Sequence, residues 1–436
     1  MSELITINDN GAWCWFQDPR VLIDPTNDTM LVTSVAAAEG PGGAARSGNV
    51  ELAIVDLHSR RTKQIVVLHE RFETDDHDVP ALCLRPDGRY LAMYAKHKSD
   101  NFSRWRVSTH PRDATQWQPE QMFDWSELAD RRGATYSNLH YLPAEGRLYN
   151  FVRAINDDQS IMVSTNAGDT WQYGGKLMTI PKIGYVNGYT RYASNGVDRI
   201  DFITTEHHPR DFNNSIYHGY VKNAALHRAD GMVIDDNILD PHGQPQTKLT
   251  KVFAADTIVN GDVMTRAWTA DLKLDEAGRP VGVISCCAND TREGAARRKV
   301  SPPDQPSDLR LFYVRFDGQQ WHAHHLAKAG PGLLPHEQEY CGLGAIDPSD
   351  AKRVYISTPI DPRTDAKLPH HEIFRGVTSD GGATWRWSAV TEDSPVDNLR
   401  PIVLAWKGRP IVLWFRGTMT ASQHYNAAIV GVFDEA

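Results

Sequence analysis

The chain has 436 residues, 41% hydrophobic and 23% charged, an ordinary globular composition. It contains no run of about eighteen apolar residues, so no membrane-spanning helix is expected. A formal net charge of -9 disfavours a nucleic-acid partner, which selects basic faces.

Taken in order, the chain opens with MSELITINDNGAWCW, which lacks a basic n-region and an apolar h-region. That predicts a cytoplasmic protein, or a secreted one if a signal peptide has been removed. A short apolar strand follows Arg20 and turns back near Thr29. The Gly-rich tract at 37–50 reads as a flexible loop. His77 opens the next hairpin, which turns at PDGR and returns through LAMYA to His97. The stretch 125–132, WSELADRR, is the one convincing helical pattern. Asn138 opens a hairpin that ends at Arg153, and Arg191 and Tyr192 open one that ends at Arg210. A polar stretch at 222–250 reads as an insertion. Arg266 opens the fifth hairpin, and a charged, proline-rich loop is expected over 289–308. Tyr340 and Asn398 open the last two.

Seven hairpins of β-branched and aromatic strands recur at a period of about sixty residues, and no linker separates them. Two segments, STNAGDTW from Ser164 and TSDGGATW from Thr378, match an Asp-box, a turn in which a carboxylate or amide ties backbone amides. The expected fold is therefore all-β: a seven-bladed β-propeller of four-stranded antiparallel blades with Asp-box turns, residues 1–436 forming a single domain. A six-bladed ring is the rival, and the hairpin count favours seven. Five cysteines, odd in number and in apolar surroundings, read as free thiols.

Ring closure carries the functional expectation. The start of one strand and the end of its partner share an edge, so His77, His97, Asn138, Arg153, Tyr192, Arg210, Arg266 and Tyr340 are expected around one central funnel. No carboxylate pair of the kind a glycosidase uses stands at the blade openings; Asp75 and Asp76 come nearest. Imidazoles, phenols and guanidinium groups suit proton abstraction next to an arginine-bound carboxylate. That is the chemistry of uronate β-elimination.

The segments FQDPRVL, DDHDVPAL, YSNLHYL, RYASNG, EHHPRDFNNSIYH, TRAWTADLKLDEAGRP and EYCGLGAIDP resemble those of BNR-repeat seven-bladed propeller polysaccharide lyases, including ulvan lyases and rhamnose-α-1,4-glucuronate lyases. The resemblance spans about residues 11–430. It implies catalytic roles for His77, His97, Tyr192 and Arg210, with Tyr189 and Tyr185 as neighbours that could take the tyrosine's place. It implies substrate contacts from Asn138, Arg153, Arg266 and Tyr340. The expected partner is a uronate-containing oligo- or polysaccharide, with neither nucleic acid nor membrane. The chemistry needs no cofactor. Zinc is disfavoured, since neither C-x-x-C nor H-x-x-x-H spacing occurs; a structural Ca²⁺ is allowed by the many aspartates, and the identity of any metal stays open. Two alternatives stand beside the lyase: a glycoside hydrolase of rhamnosidase or sialidase type on the same scaffold, and a non-catalytic glycan-binding propeller.

Overall fold

The structure, a computed structural model, describes residues 3–128, 133–183, 186–291, 307–335 and 337–434. Its strands form seven antiparallel sheets, each a meander built on four strands, arranged as the blades of a propeller. The innermost strand of each blade comes first in that blade's four-stranded meander: Val21–Asp24, Ala81–Leu84, Thr135–Leu142, Thr190–Ser194, Asp262–Leu274, Gly344–Ile346 and Asp397–Trp406. These strands meet their neighbours around the axis. The last blade takes its outer strand from the chain's beginning. Ile5–Asn8 pairs antiparallel with His424–Phe433, Ile5 opposite Gly431, and this closes the ring.

Local chemistry explains the blades. The predicted hairpin turns are present, with Gly88 at φ 80° and Gly278 at φ 72°, values an L side chain resists. In the turn after Gln159–Ser164, the Ser164 hydroxyl donates to Asn166 Oδ1 at 2.8 Å, and the same oxygen accepts the Thr170 N–H at 3.0 Å. The turn starting at Thr378 repeats this with Asp380, which accepts Thr384 N–H at 2.9 Å. The tryptophans that follow pack between blades: Trp171 is buried in a cluster with Leu91 and Leu148, and Trp385 meets Tyr313 edge-on at 5.2 Å.

Three expectations change. The Gly-rich tract carries a single helical turn, Gly43–Arg46, and Arg46 ties it down through Asp9 at 2.6 Å and Glu51 at 2.8 Å. The polar stretch 222–250 adds the short strands Ala225–Arg228 and Val233–Asp235 to the fourth blade. Residues 126–128 of the expected helix form a turn; 129–132 lie outside the described residues, as do 292–306 of the expected proline-rich loop. Among the described residues, no helix is long and apolar enough to cross a membrane.

The centre of the ring is filled. Residues 12–20 run through it and bond to strand openings all round. The Trp15 indole N–H donates to Cys341 O at 2.6 Å, Gln17 Nε2 to His77 O at 2.6 Å, and Asp18 N–H to Asn138 Oδ1 at 3.1 Å. Arg400 Nη2 donates to Gln17 O at 2.9 Å, and Arg191 donates to Trp15 O. Phe16 stacks on Trp268 with centroids 3.5 Å apart and meets Tyr189 and Tyr340 edge-on. Burying each of these rings contributes roughly 2–3 kcal/mol relative to exposure. The expected open funnel is therefore a plugged axis with a pocket at its rim.

Candidate active site

The pocket forms where blade 2 begins. Asp76–Asp78 make one 3-10 turn, capped by Asp75, whose Oδ1 accepts the His77 N–H at 2.9 Å. The chain then extends into Ala81–Leu84, turns, and returns through Tyr90–Ala95 to His97. The two hairpin ends meet. The His77 and His97 rings stack 3.8 Å apart at 13°. Asp75 joins them: Oδ1 lies 2.6 Å from His77 Nδ1 and Oδ2 lies 3.1 Å from His97 Nδ1. Asp76 Oδ1 approaches His77 Nδ1 at 2.7 Å, and Gln423 Nε2 donates to Asp75 from the last blade. With both Nδ1 atoms held by one carboxylate, each ring keeps Nε2 for the pocket.

The cavity of about 140 Å³ is lined by His77, His97, Tyr189, His208, Arg210, Glu337 and Tyr340, with residues 421–423 at one side. Arg210 enters from the turn after Ile200–Thr205. Its N–H donates to His208 Nδ1 at 3.0 Å, and Arg266 Nη1 holds the same turn through Pro209 O at 2.9 Å. The guanidinium of Arg210 contacts two carboxylates, Glu339 at 2.7 Å and Glu337 at 2.5 Å. Arg153 lies behind the pocket, fully buried, its guanidinium 4.7 Å from the Tyr136 ring centre and 5.4 Å from that of Tyr189.

The charges of the two imidazoles separate. Burial opposes protonation of His77, but electrostatic interactions with Cys14, Asp75, Tyr136 and Asp76 together hold its pKa well above the usual imidazole range. Burial and the charge of His77 push His97 down to about 4 against the pull of Asp75. Burial alone would raise Asp75; the two imidazoles outweigh it and hold its carboxyl well below the usual range. The pair thus carries one proton-rich and one proton-free ring at neutral pH. Burial raises the Tyr189 phenol, while Arg153, His77 and Arg210 work against that rise.

His77, His97, Arg210 and Tyr340 of the sequence-derived set come together here. The others do not line the pocket. Tyr192 stacks on Phe151 at 4.5 Å and lines a second cavity with Asp18 and His140; Tyr189 stands in the pocket instead. Asn138 does not line this pocket; its side chain bonds to the plug and to Phe151 O at 3.2 Å. Arg266 holds the Arg210 turn, and Arg153 backs the tyrosines. Sequence reasoning named Tyr189 only as an alternative to Tyr192, left out Glu337, Glu339 and Gln423, and noted Asp75 only as a carboxylate next to His77. The spacing held a signal for the tyrosine. Positions 189 and 192 differ by three, an odd number, so an extended strand sends them to opposite faces. Tyr185 lies outside the described residues.

Among the described residues, two groups of three side-chain donors lie close enough to share a cation, Asp75–His77–His97 and Cys14–Asp76–His77. Both mix nitrogen or sulfur with oxygen, unlike the all-oxygen shell Ca²⁺ takes.

Fold and site together define a closed seven-bladed propeller with a pocket of imidazoles, tyrosines and an arginine at one mouth. The chain belongs to the BNR repeat-containing family, whose profile matches residues 44–329. Among curated proteins, none matches it. Its structure is similar to that of a PL25 ulvan lyase, a polysaccharide lyase solved bound to -[GlcA(1-4)Rha3S]-, with a TM-score of 0.63 at 12% identity over 98% of this chain and 95% of that one. It is also similar to the polysaccharide lyase Uly1, with a TM-score of 0.56 at 11% identity over 100% of both chains. At such identities the likeness is one of fold.

Proposed function

We propose that the protein is a carbohydrate lyase that cleaves a 4-O-linked hexuronate by β-elimination, with rhamnose-α-1,4-glucuronate as the linkage. The observation that carries this is the shared carboxylate: Asp75 fixes Nδ1 of both imidazoles, whose rings stack 3.8 Å apart at one cavity. The solved ulvan lyase with a glucuronate–rhamnose ligand supports the choice of substrate through the common fold.

In this reading the uronate carboxylate lies toward Arg210, whose charge stabilises the enolate that forms when C5 loses its proton. Neutral His97 takes that proton on Nε2. The C5–H electron pair becomes the C4=C5 double bond, and the C4–O4 bond breaks. His77, already protonated, delivers its proton to O4, so the departing sugar leaves as a free hydroxyl. Tyr189 and Tyr340 shape the walls and hydrogen-bond the sugar ring. General acid–base assistance of this kind contributes roughly 10²–10⁴-fold. Acid, base and counter-charge all come from side chains.

The direct test is incubation with rhamnose-α-1,4-glucuronate oligosaccharides or ulvan while following the absorbance of the 4,5-unsaturated uronate. Growth of that band with product formation is the expected result. Sugar release without the chromophore overturns the lyase reading in favour of a hydrolase, a role for which Glu337 and Glu339 stand at the pocket. Binding without turnover leaves a glycan-binding propeller.

A further inference from the structure

Glu337 differs from every other group at the pocket. It is the one whose placement works against the function just proposed. A guanidinium that grips a substrate carboxylate needs donors to offer, yet the Nε and Nη2 edge of Arg210 already meets two carboxylates. The two are not equivalent. Glu339 is buried, its side chain 4% exposed, and serves as a permanent counterion to Arg210 at 2.7 Å. Glu337 keeps 34% of its side-chain surface in solvent and reaches Arg210 Nη2 at 2.5 Å from the cavity side.

The backbone around Glu337 is braced. Its N–H donates to Leu334 O at 3.2 Å, its carbonyl accepts the Tyr340 N–H at 3.2 Å, and Leu333 N–H donates to Tyr340 O at 2.8 Å. The turn therefore presents the carboxylate to Arg210 and to Tyr340, with part of the side chain still facing water. Together these observations describe a resident carboxylate, attached by a flexible stem, seated on the donor a substrate carboxylate would use.

We infer that Glu337 is a built-in stand-in for the substrate carboxylate: it occupies the carboxylate subsite on Arg210 in the free enzyme and must swing out when a uronate enters. This rests on the lyase reading for the identity of the incoming group. It adds a selectivity rule. A sugar without a carboxylate cannot compensate for the lost Glu337–Arg210 pair, so neutral sugars are refused and uronates accepted by exchange of one carboxylate for another. Like charges held on one guanidinium also make a second anionic substituent close to the uronate carboxylate unwelcome while Glu337 remains near.

The experiment compares methyl glucuronide with methyl glucoside, which differ at C6 alone as carboxylate against hydroxymethyl. Binding of each is measured by calorimetry or NMR titration to the wild-type chain and to Glu337→Gln and Glu337→Ala. Both variants are expected to bind the glucuronide roughly fivefold more tightly, the scale of releasing one partly exposed ion pair. Their thermal stability should stay near that of the parent, because the side chain is partly exposed. Glu339→Gln should instead weaken glucuronide binding, since it loosens the buried anchor of Arg210. Unchanged or weaker glucuronide binding in both Glu337 variants, with the parent binding normally, overturns the stand-in and leaves the lyase reading intact. No preference for glucuronide over glucoside in any of the proteins overturns both.

Discussion

Two histidine–aspartate pairs flank the plug, and they differ in what surrounds them. At the rim, Asp75 bridges two stacked imidazoles beside a cavity of about 140 Å³, with Arg210, Tyr189 and Tyr340 converging on it. Further along the same inner strands, Asp18 meets His140 Nε2 at 3.0 Å beside a larger cavity of about 420 Å³. Asp18 is already committed to the Tyr192 N–H at 3.2 Å, and the walls there mix Leu82, Leu139 and Leu272 with Arg20 and Lys273. Volume therefore points to one end and chemistry to the other. The larger cavity has a single imidazole, His140, with Arg20 and Lys273 among its walls. The smaller one gathers the two stacked imidazoles, Arg210 and two tyrosines, so a separate donor, acceptor and counter-charge for the proposed elimination stand within one substrate's reach there.

The comparison breaks most sharply by mutation. His97→Ala and His77→Ala should each lower kcat by about 10²–10⁴-fold, whereas His140→Ala should change it by no more than about twofold. Unsaturated-uronate formation by the three variants measures this directly, and a large loss in His140→Ala would move the chemistry to the other end. Phe16→Ala removes the ring between Trp268, Tyr189 and Tyr340 and should destabilise the fold by about 3–5 kcal/mol in denaturant unfolding. It thereby tests whether the plug holds both ends in place. Among the tyrosines, Tyr189→Phe should lower kcat/KM by about tenfold or more, and Tyr192→Phe should leave it nearly unchanged, because of the two residues only Tyr189 lines the rim pocket.

The pH profile sharpens the contrast further. Turnover as proposed needs His97 neutral and His77 charged. His97 sits down at about 4, so activity should fall as pH drops through that value and His97 becomes protonated. His77 sits well above its usual range, so the other limb should lie on the alkaline side, where His77 loses its proton. Asp75→Asn removes a negative charge that supports protonated His77, and should move the alkaline limb to lower pH. A profile with both limbs unmoved in that variant would break the link between Asp75 and the imidazoles.

Much of the pocket was legible because strand direction is legible. His77 starts one strand and His97 follows its partner, so the hairpin alone brings the rings to one edge. Arg210 reached the same rim by the same logic. The rule failed where the inner strands cease to alternate regularly. Tyr136, Arg266, Leu343 and Arg400 have φ of 69°, 54°, 63° and 54°, with breaks in strand register beside Tyr136, Arg266 and Arg400. A bulge at the rim re-aims the side chain next to it. Arg266 consequently turns to the backbone of Pro209 rather than to the pocket. Asn138, Arg191 and Arg400 were drawn to backbone groups of the plug, which no strand pattern announces.

The amino-acid order by itself determined the all-β class, seven hairpin units, their turns and the meeting of two imidazoles at one edge. These rest on short-range rules: two-residue alternation, glycine at turns, and a repeat of near-constant length. The tertiary structure alone decided that residues 12–20 fill the axis, that Tyr189 rather than Tyr192 faces the site, and that Glu337 and Glu339 reach Arg210 from more than a hundred positions away. Those outcomes depend on which buried polar groups find partners across the ring, a condition satisfied jointly by all seven blades and by no single segment.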